Sequence, residues 1–368
     1  MRRLHFWIKV GGFVAVVATA VALATATAAA VTLSPQQMAG QRVIYSYTGL
    51  RPPAKLLSLI SHGEAAGVIF FGDNIAGHTQ IRAVIKTLEQ AAASSHNPVH
   101  APLLLMVDQE GGQVRRLSGA PLLSEKQIGQ SADPAAEATK AGGAAGRNLG
   151  SVGMNVNLAP VLDVYRKAGN FDDQYGRSYS KSPAVVAKLG ADFIKAQQKV
   201  GVAATAKHFP GLGAATRYQN TDKRPVTLHV SLNSLRTIDE APFKTAIAAG
   251  VRLVMVSWAV YPALDPGVPA GLSSAVIQGQ LRKKLGFKGV TVTDALEAGA
   301  LRSFGTSQHR AMLAARAGMD LILCGPGVSE GEEAMQGLKT GYLGGALSKP
   351  AFRAAMQRVI ALRSSLGK

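Results

Sequence analysis

AATAKHFPGLGAATRYQNTD, Ala203 to Asp222, is the stretch from which the architecture can be read. With Gly201 and Val202 before it, it opens as a short apolar run, then stops at two adjacent basic residues, Lys207 and His208, and a turn-rich Phe-Pro-Gly-Leu-Gly. An unbroken apolar run of this length has the pattern of a parallel strand buried on both faces. A loop leaving such a strand is where binding and catalytic groups gather on a rigid scaffold. A solvated Lys-His pair at a strand end is the plainer reading of the same residues.

The pattern repeats on both sides. Similar runs stand at Arg42–Tyr47, Gly67–Phe71, Leu103–Val107 and Met154–Ala159 before it, and at Leu253–Ser257, Gly289–Thr293 and Asp320–Cys324 after it, which makes eight with Val202–Ala206. The segments between them carry helix signals. Asp133-Pro134 and Ser182-Pro183 each set a capping residue before a first-turn proline, Ser231 opens a segment that closes on Gly250, and an Ala-rich helix over Arg310–Gly318 ends on glycine. Eight strands alternating with helices predict a single (β/α)8 TIM-barrel-like α/β domain over residues 33–368, with an open doubly wound sheet as the alternative. The last helical pattern, Pro350–Leu362, continues the alternation and adds no second domain.

In such a barrel, functional side chains follow the strands at their C-terminal ends. Those positions hold Asp73 and Asn74 after the second run, Asp108, Gln109 and Glu110 after the third, and Asp163 after the fourth with Arg177 further along its loop. Lys207 and His208 follow the fifth, Trp258 the sixth and Asp294 the seventh. A rim of carboxylates, arginines and one Lys-His pair suits a polyhydroxylated ligand, whose hydroxyls need paired donors and acceptors, and one carboxylate there can serve as a nucleophile on a sugar. Gly111-Gly112 is too little for a phosphate-cradling loop.

Composition narrows the partners. The chain has 368 residues, 47% of them hydrophobic, and a formal net charge of +18. That charge favours anionic surroundings such as a cell wall or membrane surface. Nucleic acid is not indicated, because the basic residues are dispersed, aromatics are only 6% and no nucleic-acid-binding signature occurs. Cys324 is the one cysteine, so an intrachain disulfide and a cysteine metal cluster are both excluded. His5, His62, His78, His96 and His100 lack metal-ligand spacing and read as surface or loop residues. At the N-terminus, Arg2, Arg3 and Lys9 precede an apolar Val10–Leu23 and several Ala-x-Ala patterns. Residues 1–32 therefore read as a signal for export, either cleaved or kept as a membrane anchor.

DQEGGQVRRL from Asp108, APVLDV from Ala159, GRSYS from Gly176, KHFPG from Lys207 and LGFKGVTVTDAL from Leu285 occur in that order, with a weaker GLSSAVI from Gly271. Together they resemble glycoside hydrolase family 3, in particular its single-domain bacterial β-N-acetylglucosaminidases, over nearly everything after Ser34. The resemblance implies a retaining hydrolase of a β-linked N-acetylhexosamine or glucose, with peptidoglycan as one source, and no metal or organic cofactor. It makes Asp294 the nucleophile, where the residue alone would equally serve as a helix cap. It makes Asp108, Arg116, Arg177, Lys207 and His208 sugar ligands, the two arginines having structural ion pairs as their plainer role. Asn74 matches a family position but suits a loop cap, and Tyr165 and Tyr175 suit either stacking on a sugar or packing.

One departure stands out. Relatives follow KHFPG with His-Gly-Asp and Asp-Ser-His, whose last histidine protonates the leaving group. Here the corresponding loop reads Leu212-Gly213-Ala214 and Tyr218-Gln219-Asn220, and no histidine lies between His208 and His229. Trp258 also replaces a histidine common in relatives. Three consequences are open: Asp222 or Glu110 supplies the proton, the substrate's own leaving group suffices, or the protein binds wall glycan without cleaving it. A turn-forming role is the plainer one for Asp222.

Overall fold

The computed structural model describes residues 33–325 and 327–366, together with Met1. The export segment read from residues 1–32 lies outside the described residues apart from Met1. Seven of the eight apolar runs contain a strand and the eighth, Val202–Ala206, holds the start of one: β1 Val43–Tyr45, β2 Gly67–Phe70, β3 Leu104–Val107, β4 Val156–Asn157, β5 Ala203–Phe209, β6 Leu253–Val256, β7 Val290–Thr293 and β8 Ile322–Leu323. Neighbours pair in parallel in the order β8-β1-β2-β3-β4-β5-β6-β7. A parallel bridge from Val292 to Leu321 then brings the two ends together. The sheet is a (β/α)8 barrel, and the open doubly wound alternative is excluded.

Strand periodicity divides the core into two layers. Inward residues such as Ile44, Ile69, Leu104, Met106, Leu253, Met255, Val290 and Val292 form one packed cluster inside the ring. Their outward neighbours, among them Val43, Tyr45, Val68, Leu105 and Val254, pack against the helices in a second cluster. Burial on both faces is why these strands read as continuous apolar runs.

Local signals set the helix ends. Asp133 accepts a hydrogen bond from Ala136 N at 3.1 Å above Pro134, Ser231 accepts from Ser234 N at 3.1 Å, and Gly318 ends its helix in the left-handed region at φ 112°. The helices Pro134–Gly150 and Pro183–Lys199 approach closely because Gly142 faces a backbone: a Cβ there would lie 2.3 Å from Phe193 O. The last helix, Lys349–Leu366, seals the end of the barrel opposite the functional loops, with Val359 and Leu362 joining the interior cluster.

Two features differ from the sequence reading. β5 runs through Lys207 and His208 to Phe209, so both basic residues lie in the strand and not after it. Their charges are accommodated there because carboxylates from neighbouring loops meet them. A two-stranded antiparallel hairpin, Gln109–Gly111 with Val114–Arg115, also follows β3.

Candidate active site

The hairpin after β3 delivers three of the site residues. Gln109 holds it shut, donating from Nε2 to Leu117 O at 2.8 Å and Ala120 O at 3.0 Å and accepting from Leu117 N at 3.0 Å. Asn157, at the end of β4, accepts from Gln109 N at 3.0 Å and ties the hairpin to the barrel. Asp108, Glu110 and Arg116 are thereby set on the wall of a cavity of about 380 Å³ at the C-terminal ends of the strands. Arg177, Lys207, His208, Asp222 and Asp294 line the same cavity, so the seven proposed site residues converge on one place together with Glu110.

Charge is balanced locally. Lys207 Nζ lies 2.6 Å from Asp108 Oδ1 and 2.7 Å from Glu110 Oε1. Arg177 donates to both oxygens of Glu110 at 2.8 Å, and its Nη1 lies 3.5 Å from Asp172 Oδ1. Burial alone would raise the Glu110 carboxyl, but Arg177 and Lys207 override it and hold the group well below the usual carboxylate range. Glu110 is therefore an ionised anchor, and the suggestion that it donates the proton is corrected. Arg177 has the structural ion pair of its plainer reading and lines the cavity as well. Arg116 forms no ion pair among the described residues, which leaves its guanidinium for a ligand.

The β4 loop orients the imidazole. Asp163 Oδ2 lies 2.7 Å from His208 Nδ1, while Oδ1 accepts from Leu212 N at 2.5 Å and His208 N at 3.3 Å. Burial would lower the His208 pKa, but the Asp163 carboxylate outweighs it and the net shift is upward. The Lys207–His208 peptide is cis. Asp163, Asp172 and His208 approach within 4.8 Å of one another, close enough to hold a cation. Asp163 is already occupied by His208 and two backbone N–H groups and so fixes the ring, while Asp172 faces Arg177. Asp172 is pushed up to about 7, by burial first and then by Asp163.

The opposite wall holds Asp294 and Asp222. Asp294 follows β7 and accepts from the next backbone nitrogen, Ala295 N, at 2.8 Å. It caps no α-helix, since the next element is the 3-10 turn Gly299–Phe304. Trp258, fully buried, donates from Nε1 to Ala295 O at 2.8 Å and so braces the residue beside Asp294. The β5 loop is pinned across to this wall, with Gly299 N donating to Asp222 O at 2.7 Å and Ala300 N to Thr221 O at 2.9 Å. The Asp222 carboxyl makes no hydrogen bond among the described residues; Asn220 forms the turn, accepting from Asp222 N at 2.8 Å. Surrounding protein atoms and then the Asp294 charge lift the Asp222 carboxyl to about 6. The residue reaches solvent at the rim, so water screens part of this, but both causes act upward.

A matching pattern of known sequences agrees with this geometry: residues 32–362 match the glycosyl hydrolase family 3 N terminal domain. The chain belongs to glycosyl hydrolase family 3. It is a glycosidase that hydrolyses glycosyl bonds. The "uncharacterized secreted glycosyl hydrolase" of Arthroderma benhamiae is 43% identical over 92% of this chain and 95% of its own length. The beta-hexosaminidase of Stenotrophomonas maltophilia is 34% identical over 79% of this chain and 87% of its own. The solved family 3 beta-N-acetylglucosaminidase of a Paenibacillus species superposes with a TM-score of 0.86 at 35% identity, covering 91% of this chain and 63% of that one.

Within this family 3 barrel, Asn74 is a loop cap. It accepts from Phe71 N at 2.8 Å, donates to Tyr47 O and Gly49 O at 2.9 Å each, and does not line the cavity. Tyr165 lies between the Lys126 and Lys181 ammonium groups at 5.9 and 5.7 Å, while Tyr175 packs edge-on against Phe171, which does line the cavity. Sequence reading missed Glu297. It lines the cavity three residues after Asp294, accepts from Gly325 N at 3.2 Å, and is pushed up to about 7, chiefly by burial. Its spacing from Asp294 was the only available signal, and that spacing has no meaning until the turn after β7 is known.

Proposed function

We propose that the protein is an exported, retaining β-N-acetylhexosaminidase-like hydrolase in which Asp294 is the nucleophile and Asp222 the acid/base. The observation that carries this reading is the pair itself. Asp222 and Asp294 line one cavity, and Asp222 is raised to about 6 while facing the Asp294 charge. A carboxyl with a raised proton affinity beside a second carboxyl is the division of labour that retaining hydrolysis needs. In the first step Asp294 attacks the anomeric carbon, the bond to the leaving oxygen breaks, and Asp222 transfers its proton to that oxygen. In the second, Asp222 takes a proton from water, whose oxygen displaces Asp294 from the covalent glycosyl-enzyme.

The other groups hold the sugar. Asp108 accepts from hydroxyls while keeping Lys207 in place, and Arg116, Arg177, Lys207 and His208 donate or orient. Residues 33–368 form the catalytic domain and residues 1–32 the export segment. The word "secreted" in the Arthroderma relative's name supports export, and among the described residues no helix is long and apolar enough to cross a membrane. The names of the Stenotrophomonas and Paenibacillus relatives support a β-linked N-acetylhexosamine as the sugar, with peptidoglycan fragments as a source. A second reading gives the proton transfer to Glu297, which shares the cavity and is raised to about 7.

The test compares p-nitrophenyl and alkyl β-N-acetylglucosaminides. An activated leaving group needs no acid, so Asp222→Asn should lose about 10²- to 10⁴-fold on the alkyl substrate and far less on the aryl one in glycosylation. Asp294→Ala should lose both. If Glu297→Gln shows the leaving-group dependence and Asp222→Asn does not, the roles belong to Glu297. If wild type turns over neither glycoside, nor the β-glucosides, but binds the free sugar, the protein is a glycan-binding module.

A further inference from the structure

The +18 net charge is not explained by the sugar cavity, whose wall sets Asp108, Glu110, Asp222, Asp294 and Glu297 against Arg116, Arg177, Lys207 and His208. The excess lies elsewhere, and much of it is at the other end of the barrel. There a second cavity, of about 400 Å³, is lined by Arg252, Lys288 and Arg358 with Ser365 and small apolar residues. Arg252 directly precedes β6, Lys288 precedes β7, and Arg358 and Ser365 belong to the sealing helix. The pocket thus opens on the face away from Asp294.

Few carboxylates answer these cations. Arg252 Nη1 donates to the Ser365 hydroxyl at 2.9 Å, and neither Arg252 nor Lys288 forms an ion pair among the described residues. Arg358 and Arg282 share one buried carboxylate, Asp320, at 2.7 and 2.5 Å. Two more arginines are buried at the same end and held by neutral groups. Arg42 donates to Asp320 O at 3.0 Å and Met319 O at 2.5 Å, and Arg363 donates to Pro102 O and Ala101 O at 2.7 Å each and to Gln41. Burial lowers Arg42 and Arg363 to about 10, so both stay charged at neutral pH. Helix C-termini gather at this end and offset about half a charge each, but exposed Lys283 and Lys284 add further cations.

We infer that the Arg252–Lys288–Arg358 pocket is an oxyanion site that receives a phosphate group of a phosphodiester-linked anionic polymer, anchoring the enzyme with its sugar cavity turned away from the anchor. A guanidinium steadied by a hydroxyl beside a free ammonium matches tetrahedral oxyanion geometry. A polymer fits better than a lipid surface. Interfacial binding requires exposed apolar side chains around the cations, whereas Leu50, Leu122, Leu123, Tyr175 and Tyr218 sit on loops at the other end, and the two exposed hydrophobic residues on the pocket's side, Val200 and Leu343, do not line it. The site is independent of which sugar is cleaved.

The probe is a linear polyphosphate chain, titrated against the full-length protein at low and at moderate salt. Wild type should bind, with affinity falling steeply as salt rises. The variant Arg252→Ala with Lys288→Ala should weaken binding by about tenfold or more. A control pair that removes the same charge from exposed helix positions, Lys86→Ala with Arg316→Ala, should stay within about twofold of wild type. Lys288→Glu alone, at an exposed residue, gives a third reading that does not risk the fold. Equal losses in the pocket and control variants would reduce the effect to net charge and overturn the site. So would pocket variants that bind polyphosphate as wild type does, or tight binding to phosphatidylglycerol vesicles without binding to polyphosphate.

Discussion

Glu110→Gln is the most demanding perturbation of the cavity, because it removes one charge from the centre of a buried network while nearly preserving shape. Glu110 is 1% exposed and takes both guanidinium bonds of Arg177 at 2.8 Å and the Lys207 ammonium at 2.7 Å. In the variant an amide nitrogen faces two cations and one oxygen is left to accept. Removing one partner of a buried ion pair costs about 3–5 kcal/mol. Here both cations keep a second carboxylate, Lys207 with Asp108 at 2.6 Å and Arg177 with Asp172 at 3.5 Å, so a loss of about 3 kcal/mol is expected, at the lower end. Urea unfolding at pH 7 measures it, and a loss under about 1 kcal/mol would refute the network as a stability element. The pH dependence provides a second check. Because the folded carboxyl lies below its unfolded value of about 4.3, its contribution is present above that pH and disappears on acidification towards the folded value. The gap between wild type and variant should therefore close as the pH is lowered from about 4.3.

Other outcomes follow from the same contacts. Asp172 has the opposite sign: raised to about 7, it contributes stability that is full below its unfolded value and is lost as pH rises through 7. Asp172→Asn should therefore gain on wild type as pH rises from about 4 to about 7, and a pH-independent difference in urea midpoints would contradict the assignment. Trp258→Phe removes the bond to Ala295 O and should cost about 1–3 kcal/mol while lowering kcat more than it raises KM, because the residue braced is the neighbour of Asp294. Unchanged kcat with lost stability would make Trp258 structural only. Gly271→Ala would put a Cβ 2.4 Å from the Trp258 ring and should cost about 1–3 kcal/mol, seen as a lower melting temperature.

The barrel was legible because burial on both faces writes parallel strands as unbroken apolar runs, and each of the eight runs holds a strand or the start of one. The site was legible to the extent that its residues follow those strands, and all seven line one cavity. What stayed hidden depended on partners distant in sequence. Lys207 and His208 were expected beyond the end of β5, since no local pattern shows that Asp108, Glu110 and Asp163 will neutralise them inside it. Glu110 was offered as an acid for the same reason: its fate is decided by Arg177, 67 positions away. The hairpin after β3 was missed because its strands are too short to carry a period.

The cavity has two walls of different character. On one, Asp108, Glu110, Asp172, Arg177 and Lys207 form a chain of ion pairs in which each member constrains its neighbours. On the other, the β5 loop is fastened by backbone bonds from Gly299 and Ala300, which do not depend on the side chain at the exposed Asp222. With Asp222 as the proposed acid/base, the proton donor stands on a loop fastened through its backbone, so replacing its side chain leaves the ion pairs of the facing wall intact.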